Sequence, residues 1–334
     1  MSLVQQYRAA RSGSILVDRS DLGRLRIAGR DAADMLHRMT TNAVAGLRDG
    51  QGTATVFANP KGRVLDLVVL QRLADHFLCL TGPGRAEPVR AWIDRYTFRE
   101  EIEVRDLSRS HGTIGIFGAG ADDAVRRLLG AEAAAAPLHH PVTTTLDGVA
   151  VVVAHTFPIA GGGFHLTAAA DDLPVLRRRL LAGGADLVES GPDCLEVLRI
   201  VEGLPVQGKE LTEDYNPWEA RLQGAISLDK GCYVGQEVIA RLNTYNKVAR
   251  QLVTLSIDGS DAPVPGAPLR AGEALSGVLT SAASVPGEDR VAGLGYLRNE
   301  DAVAGRALDV VADGRFIPAT VGGLARGVAA EESR

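Results

Sequence analysis

The sequence has few cysteines and no long apolar segment. Its three cysteines, Cys79, Cys194 and Cys232, form no Cys-x-x-Cys pair, and an odd, scattered set is typical of a reducing compartment. The first residues lack the apolar core of a signal peptide. The longest apolar runs, Val64–Leu70 and Val149–Ala154, are far too short to span a bilayer. These absences predict a cytoplasmic protein with no membrane partner.

Basic residues do not outnumber acidic ones. The formal net charge is −5, and no basic stripe is present that could neutralise phosphates, so no nucleic-acid partner is expected. His139 and His140 are adjacent and have no further ligand at metal spacing, so no metal site is predicted. A length of 334 residues is enough for two or three domains, each with its own core.

Two segments share a pattern of strand, glycine turn and helix. Arg24–Ile27 is strand-like and leads through Gly29 to a helix with Asp31 at its N-cap. Thr113–Phe117 leads through Gly118-Ala119-Gly120 to a second helix. The similarity indicates an internal duplication. The second turn also resembles a dinucleotide-binding loop, but Asp123 would bring a carboxylate to the pyrophosphate, which disfavours that alternative.

A hairpin between these segments contains an acidic residue at an apolar strand position. Thr53–Phe57 and Arg63–Leu70 are predicted strands, joined by the tight turn Asn59-Pro60-Lys61-Gly62. Asp66 lies in the second strand between two leucines. Such a carboxylate needs a partner or a functional role, unless strand alternation turns it to solvent. Both interpretations are open from the pattern alone.

Two stretches between predicted elements are interpreted as loops. The alanine run Ala133–Ala136 is expected to be a surface connection. Gly203–Glu210 resembles a phosphate-binding loop, but Glu210 stands where a Ser or Thr should bind Mg²⁺, and a helix precedes it in place of a strand. The nucleotide alternative is therefore disfavoured.

The C-terminal part alternates apolar strands with Gly, Pro and Asp turns. We predict a small closed antiparallel barrel that begins near Arg250. Its predicted strands are Leu252–Ile257, Gly277–Ser281, Ala292–Tyr296, Leu308–Ala312 and Ile317–Thr320.

The stretch from Asp229 to Glu237 places Cys232 in a short turn. Gly231 and Gly235 on either side permit backbone angles that other residues avoid. Lys230, and the first turn of a helix beginning near Gln236, would favour the thiolate. The alternative is a small, buried, inert cysteine at a junction between loop and helix.

Residues 230–237, Lys-Gly-Cys-Tyr-Val-Gly-Gln-Glu, resemble the KGCYxGQE signature of the YgfZ family. Eukaryotic relatives of that family act in mitochondrial iron–sulfur protein maturation. Other segments resemble landmarks of the wider superfamily that includes the glycine-cleavage T-protein, a tetrahydrofolate-dependent aminomethyltransferase. These segments are Thr40–Asn42, Asn59–Arg63, Gly163-Phe164, Glu202–Pro205, Asn216–Glu219, Gly277–Ser281 and Gly293–Tyr296.

The resemblance implies an α+β fold of three domains in a ring around a folate site. Two intertwined α+β domains with antiparallel sheets would occupy residues 1–245, one of them at roughly 50–110, and a C-terminal antiparallel β-barrel would occupy 246–328.

The resemblance also implies site residues. Cys232 would be reactive with Lys230 beside it, and Asp66 corresponds in context to the catalytic Asp near the folate. The implied folate contacts are Asp66, Glu202, Asn42, Glu219, Tyr233, Gln236 and Arg241.

Three positions depart from the T-protein pattern. The pterin-binding Glu position is Val201 here, one residue and about 100° of helix rotation from Glu202. An aromatic position is Gln207, and Leu80-Thr81-Gly82 lacks the Asn of a Val-Asn-Ala turn.

The leading functional hypothesis is a monomeric YgfZ-type protein that binds tetrahydrofolate or a derivative. It would support iron–sulfur protein assembly or repair through Cys232, with iron–sulfur client proteins or assembly factors as partners. The alternative is a folate-dependent aminomethyltransferase or methyltransferase in which Asp66 aligns the folate nitrogen and Cys232 is structural. A third alternative is a binding module without chemistry.

Overall fold

The computed structural model describes residues 1–183, 186–245 and 247–328. Its contacts divide the chain into two compact units, which are described separately. The first unit contains Met1–Phe57, Asp66–Cys194 and Ala225–Val234, and the second contains Ala58–Leu65, Leu195–Gly224 and the chain from Gly235 onward. The predicted domain bounds, 1–245 and 246–328, stay predictions, and Asn246 lies outside the described residues.

The helices of the described residues are short. They are α1 (Leu3–Ser12), α2 (Ala32–Met39), α3 (Ala86–Tyr96), α4 (Ala121–Leu129), α5 (Ala131–Ala135), α6 (Leu173–Ala182), α7 (Pro192–Val201) and α8 (Gln236–Thr244).

The strands before residue 200 are β1 (Ser14–Asp18), β2 (Leu22–Ala28), β3 (Gly52–Ala58), β4 (Val64–Leu73), β5 (His76–Pro83), β6 (Glu103–Asp106), β7 (His111–Phe117), β8 (Val142–Leu146), β9 (Val149–Ile159), β10 (Gly162–Ala169) and β11 (Leu187–Ser190). The strands after it are β12 (Arg250–Asp258), β13 (Pro268–Ala271), β14 (Ala274–Ser284), β15 (Arg290–Arg298), β16 (Ala307–Ala312) and β17 (Arg315–Leu324).

The first unit contains two sheets whose segments alternate along the chain. One sheet has the strand order β11-β1-β7-β10-β9-β8, and the other has the order β3-β4-β5-β2-β6. The pairings β1–β7, β7–β10 and β9–β10 are antiparallel, as are β2–β5 and β4–β5, whereas β1–β11 is parallel. Because β1 precedes the five-stranded sheet and β7 follows it, the two sheets are intertwined in sequence, as expected.

Both predicted strand–turn–helix segments are present, as β2 with α2 and β7 with α4. In the second, the amide hydrogens of Ala119 and Gly120 are donated to the carbonyl oxygens of Ala10 (3.1 Å) and Gly13 (2.8 Å) at the end of α1. Because both amide hydrogens are used in hydrogen bonds to the end of α1, they are not available to a dinucleotide phosphate.

The expectation of a surface connection at Ala133–Ala136 is wrong. Residues Ala131–Ala135 form α5, and Ala133 and Ala134 are buried in the core of the six-stranded sheet. Alanine has the highest helix propensity, and its small side chain lets the helix approach the sheet closely.

The second unit contains a closed barrel with the strand order β12-β15-β14-β13-β16-β17. All five predicted strands are present, but β13 was missed. It has only four residues and begins with Pro268, which cannot donate a ladder hydrogen bond. Its Leu269 nevertheless lies in the barrel core. Among the described residues, no helix is long and apolar enough to cross a membrane.

Candidate functional site

Asp66 lies in β4 of the first unit and is fully buried. The strand also buries Val68, two residues further along the same face, so alternation turns the carboxylate inward. The alternative of a solvent-facing aspartate is wrong. Oδ1 accepts the amide hydrogen of Gly82, on the neighbouring strand β5, at 3.2 Å. Oδ2 accepts no hydrogen bond from the residues that the structure describes.

Burial governs the ionisation of Asp66. It raises the pKa of Asp66 to about 7, and the guanidinium of Arg85 acts in the opposite direction. Arg85 Nε lies 3.6 Å from Oδ2, which is an ion-pair distance but longer than a hydrogen bond. Burial, assisted by this carboxylate, also raises the pKa of the Cys79 thiol. Asp66 can thus exchange a proton near neutral pH and offers one oxygen to a further donor.

Arg85 was not predicted from the sequence; it occupies the N-cap position of α3. The only local signal is a basic residue after Gly82-Pro83-Gly84, and this is an ordinary turn composition. Its importance depends on the pairing of β4 with β5, which no local pattern reveals.

Cys232 is exposed, whereas Cys79 and Cys194 are buried. The alternative that Cys232 is a buried thiol is therefore wrong. The expectation that Gly231 shapes the turn is also wrong. Its φ is not left-handed, and a Cβ there would meet no atom within 4 Å.

Lys230 is attached to the end of α2. Its ammonium donates hydrogen bonds to the carbonyl oxygens of His37, Thr40 (2.6 Å) and Asn42 (2.7 Å). The ring of Tyr233 faces the same charge, with its centroid 5.1 Å from Nζ. Lys230 and Tyr233, on either side of Gly231 and Cys232 in the sequence, are therefore in contact with each other, and Lys230 is bonded to the end of α2.

Asn42 and Tyr233 are less available to a ligand than the resemblance implied. The Asn42 side-chain amide donates to Thr53 Oγ1 and to the Ala54 carbonyl, both at 3.0 Å, and its oxygen accepts the Ala43 amide hydrogen at 2.9 Å. Tyr233 is 8% exposed, and burial raises its pKa to about 12. Both side chains contribute mainly to the local packing of the first unit.

The remaining candidates of the cysteine stretch belong to the second unit, whose last segment begins at Gly235. Gly235 has φ of +82°, and a Cβ there would lie 2.6 Å from the Asn59 carbonyl oxygen, so glycine is required. Gln236 begins α8, as predicted, and is half-buried, while Arg241 is exposed in the last turn of that helix.

Glu219 and Glu202 are each engaged within the second unit. Glu219 is 4% exposed, and its Oε2 accepts the Asn216 amide hydrogen at 3.0 Å and lies 3.4 Å from Arg63 Nη1. Glu202 follows α7 and pairs with Arg326 at 3.2 Å. Both carboxylates therefore serve the internal structure of this unit.

Comparisons with known proteins identify a family for the chain. The GCVT N-terminal domain family matches residues 2–230. The chain belongs to this family. A chloroplastic protein of Arabidopsis thaliana, provisionally named a transferase, is 30% identical over 316 residues, which cover 94% of this chain and 72% of that protein. An aminomethyltransferase of Saccharopolyspora erythraea is 29% identical over 322 residues, which cover 95% of this chain and 87% of that enzyme.

The fold of this GCVT family member is also that of a solved relative. The crystal structure of glycine cleavage system aminomethyltransferase T from Bartonella henselae matches with a TM-score of 0.83 at 22% identity, over 98% of this chain and 90% of that chain. The predicted α+β class, with antiparallel sheets and a C-terminal barrel, is confirmed.

The segment that resembled a phosphate-binding loop has a structural role in this family member. Glu210 is fully buried, and its Oε2 accepts from Arg199 Nη1 (3.0 Å) and the Val206 amide (3.1 Å). Its Oε1 accepts from Thr280 Oγ1 (2.8 Å) and Ser281 Oγ (2.6 Å) of β14. The loop therefore joins α7 to the barrel through a buried carboxylate. Among the described residues, no group of three His, Cys, Asp or Glu side chains could hold a metal ion.

Proposed function

We propose that this chain is a tetrahydrofolate-binding protein of the YgfZ type that supports assembly or repair of iron–sulfur proteins through Cys232. The observation that carries the proposal is the exposed Cys232 thiol within the KGCYxGQE stretch, in a chain whose other two thiols are buried. An exposed thiol can reach a protein partner, whereas Cys79 and Cys194 cannot do so without unfolding.

A reduced folate fits the surroundings of Asp66. The buried Oδ2 atom has Arg85 Nε at the ion-pair distance of 3.6 Å but accepts no hydrogen bond from the described residues, and a pterin offers N–H groups that could supply one. A bound tetrahydrofolate would supply a nitrogen that carries a one-carbon unit. Asp66 would hold and orient that ligand by accepting its hydrogen bond, and a pKa of about 7 lets it take up or release a proton there.

Isothermal titration calorimetry with tetrahydrofolate tests the folate part. We expect wild-type binding to weaken about tenfold or more in Asp66→Asn, since a charge-assisted hydrogen bond is removed. The matched control is Asp75→Asn, which alters an exposed carboxylate at the β4–β5 turn of the same sheet and should bind as wild type does. Equal binding by all three proteins would reject Asp66 as a folate contact.

A complementation assay for iron–sulfur enzyme activity tests the cysteine part. Cys232→Ser should fail to restore activity in cells that lack the protein, whereas Cys194→Ala, which removes a buried thiol, should restore it. Full restoration by Cys232→Ser would remove the cysteine from the mechanism.

The second candidate function is folate-dependent aminomethyl transfer. It is favoured by the aminomethyltransferase names of the relatives and by the proton-exchanging Asp66. In that case Asp66→Asn abolishes one-carbon transfer and Cys232→Ser leaves it unchanged. The opposite pattern supports the YgfZ-type role. If neither variant changes either readout, the chain acts as a binding module.

The proposal extends to the second unit and to the setting of the protein. Glu202 and Glu219 are engaged in ion pairs within the second unit, so their alanine variants should weaken binding less than Asp66→Asn does. Gln236 and Arg241 stay proposed folate contacts, and alanine variants of both test them in the same titration. We place the protein in the cytoplasm as a monomer, with iron–sulfur client proteins or assembly factors as partners. Light scattering of the purified chain tests its mass against the 35.2 kDa of one copy.

A further inference from the structure

We infer that Lys230 is the positioning residue of the Cys232 turn, and that its ammonium occupies a cation site built from three carbonyl oxygens at the end of α2. The functional importance of that turn rests on the proposed function. The geometry of the site does not, because it lies entirely in contacts within the first unit.

The three carbonyl oxygens belong to the last turn of α2 and the residues after it. The donor Nζ contacts His37 O, Thr40 O at 2.6 Å and Asn42 O at 2.7 Å. Carbonyl groups at a helix C-terminus have no intrahelical partner and carry partial negative charge. An ammonium has three N–H donors, so these three acceptors use all of them. The arrangement is a cation site whose cation is covalently attached to the chain.

The surroundings of Nζ favour a retained charge. The Tyr233 ring centroid lies 5.1 Å from Nζ, so the ring adds a cation–π contact to the three carbonyl oxygens. Burial alone lowers the pKa of Lys230 to about 8. The carbonyl oxygens and the ring favour the charged ammonium and so oppose this effect of burial.

The same turn is attached to the first unit on both sides of Lys230. The Ser227 amide hydrogen is donated to Thr41 O at 3.0 Å, and the Val234 amide hydrogen to Arg38 O at 3.1 Å. Lys230 lies between these attachments, two residues before the exposed Cys232. Ala225 O also accepts a hydrogen bond from Thr41 Oγ1 at 2.6 Å, near the Ser227 end. The Lys230 side chain therefore holds the middle of a segment that is also bonded at both ends.

This role differs from activation of the thiol by charge. An ammonium whose three donors are committed to carbonyl oxygens has none left for the Cys232 sulfur. Activation predicts that Lys230→Met changes the pH dependence of Cys232 alkylation. Positioning predicts that this pH dependence is unchanged and that the turn becomes mobile.

Hydrogen–deuterium exchange on the purified full chain separates the two roles. In Lys230→Met we expect the Ser227 and Val234 amides to exchange about tenfold or more faster than in wild type. Ammonium chloride should slow that exchange again because free NH₄⁺ can occupy the three-carbonyl site. Tetramethylammonium chloride at the same ionic strength has no N–H donor and should not.

The control variant is Lys209→Met, which removes an exposed lysine that pairs with Glu196 in the second unit. Its exchange at Ser227 and Val234 should equal that of wild type, with or without ammonium. Unchanged exchange in Lys230→Met, or faster exchange that ammonium does not slow, would overturn the inference.

A measurement on the wild-type chain applies even if Lys230→Met does not fold. The sequence has four lysines, Lys61, Lys209, Lys230 and Lys247, and three of them are exposed while Lys230 is half-buried. Burial lowers the pKa of Lys230, which by itself would speed acylation, so slow acetylation reports on the hydrogen bonds that hold Nζ. Acetylation followed by mass spectrometry should modify Lys230 at least about tenfold more slowly than Lys61, because Nζ must leave the three carbonyl oxygens before it can attack. Equal or faster modification of Lys230 would show that its ammonium is not held. Neither experiment uses folate or an iron–sulfur protein, so the inference can fail while the proposed function stands, and the reverse.

Discussion

Asp66 and Glu210 are both completely buried carboxyl groups, one in each compact unit, yet their surroundings differ. Glu210 accepts four hydrogen bonds, from Arg199, the Val206 amide, Thr280 and Ser281, at 2.6–3.1 Å. Asp66 Oδ1 accepts the Gly82 amide hydrogen at 3.2 Å, and Oδ2 has its charged neighbour Arg85 at 3.6 Å. Both carboxyl groups are buried, but both oxygens of Glu210 accept hydrogen bonds whereas Oδ2 of Asp66 accepts none from the described residues.

This difference distinguishes a carboxyl group with a structural role from one that could bind a ligand or transfer a proton. A buried carboxylate whose acceptors are all used holds elements together and has nothing left to offer a ligand. A buried carboxyl with an unused oxygen costs stability in its charged form, and such a cost is typical of sites that bind or transfer protons. Substitutions at the two positions should therefore have opposite effects on stability.

The largest effect is expected at Glu210. Glu210→Gln should lower the free energy of unfolding by about 3 kcal/mol, because it removes the more buried of the two carboxylates paired with Arg199 and sets an amide against hydroxyl donors. Urea denaturation measures this change. Glu300→Gln alters an exposed acid 4.0 Å from Arg298 and should change stability by less than about 0.5 kcal/mol. A loss no larger than this control would mean that the network is not stabilising.

Asp66→Asn should act in the opposite direction. Because the folded-state pKa is raised to about 7 from 3.8, the native carboxyl binds its proton more tightly than the unfolded one. Wild-type stability therefore falls as pH rises from about 4 to 7, by up to about 4 kcal/mol. The variant lacks this titration, so it should be more stable than wild type by about 2–4 kcal/mol at pH 8, with little difference at pH 4. Urea denaturation at both pH values measures the gain, and a less stable variant at pH 8 would contradict the comparison.

His139 extends the comparison to a base. It is 4% exposed, and both ring nitrogens lack hydrogen-bond partners among the described residues. Burial lowers the pKa of His139 to about 3 from 6.5, so its contribution to stability is complete above pH 6.5 and is lost as pH falls towards 3. At pH 5 the loss should be about 2 kcal/mol.

Urea denaturation between pH 7 and 5 tests that expectation. His139→Asn tolerates the positive φ of 66° at this position and should lose the slope that one histidine contributes. Burial also holds the pKa of His165 well below its usual value, so a residual slope from that residue should remain. An identical slope in the variant would show that His139 does not titrate as a buried group.

The sequence was sufficient for much of the fold and for part of the site. Strong local patterns identified both strand–turn–helix segments, the hairpin with Asp66 and five barrel strands, because each carries its own periodicity and turn residues. Partners distant in sequence were beyond such patterns. Arg85 meets Asp66 only because β4 pairs with β5, and Lys230 meets the carbonyl oxygens of α2 from almost 200 residues away. The short strand β13 and helix α5 were missed because each has only four or five residues.

Gly231 and Gly235, which flank Cys232, are the same residue type in different surroundings, and the smallest effects are expected there. Gly235→Ala should lower the free energy of unfolding by about 1–3 kcal/mol, since φ is +82° and the new methyl group would lie 2.6 Å from the Asn59 carbonyl oxygen. Gly231→Ala should change it by less than about 0.5 kcal/mol, because its Cβ would project into open space. Thermal and urea denaturation of both variants measure the contrast. Equal losses would mean that Gly231 is constrained in a way that backbone angle and contact distance do not reveal, and the cysteine turn would then depend on both glycines as the motif alone had indicated.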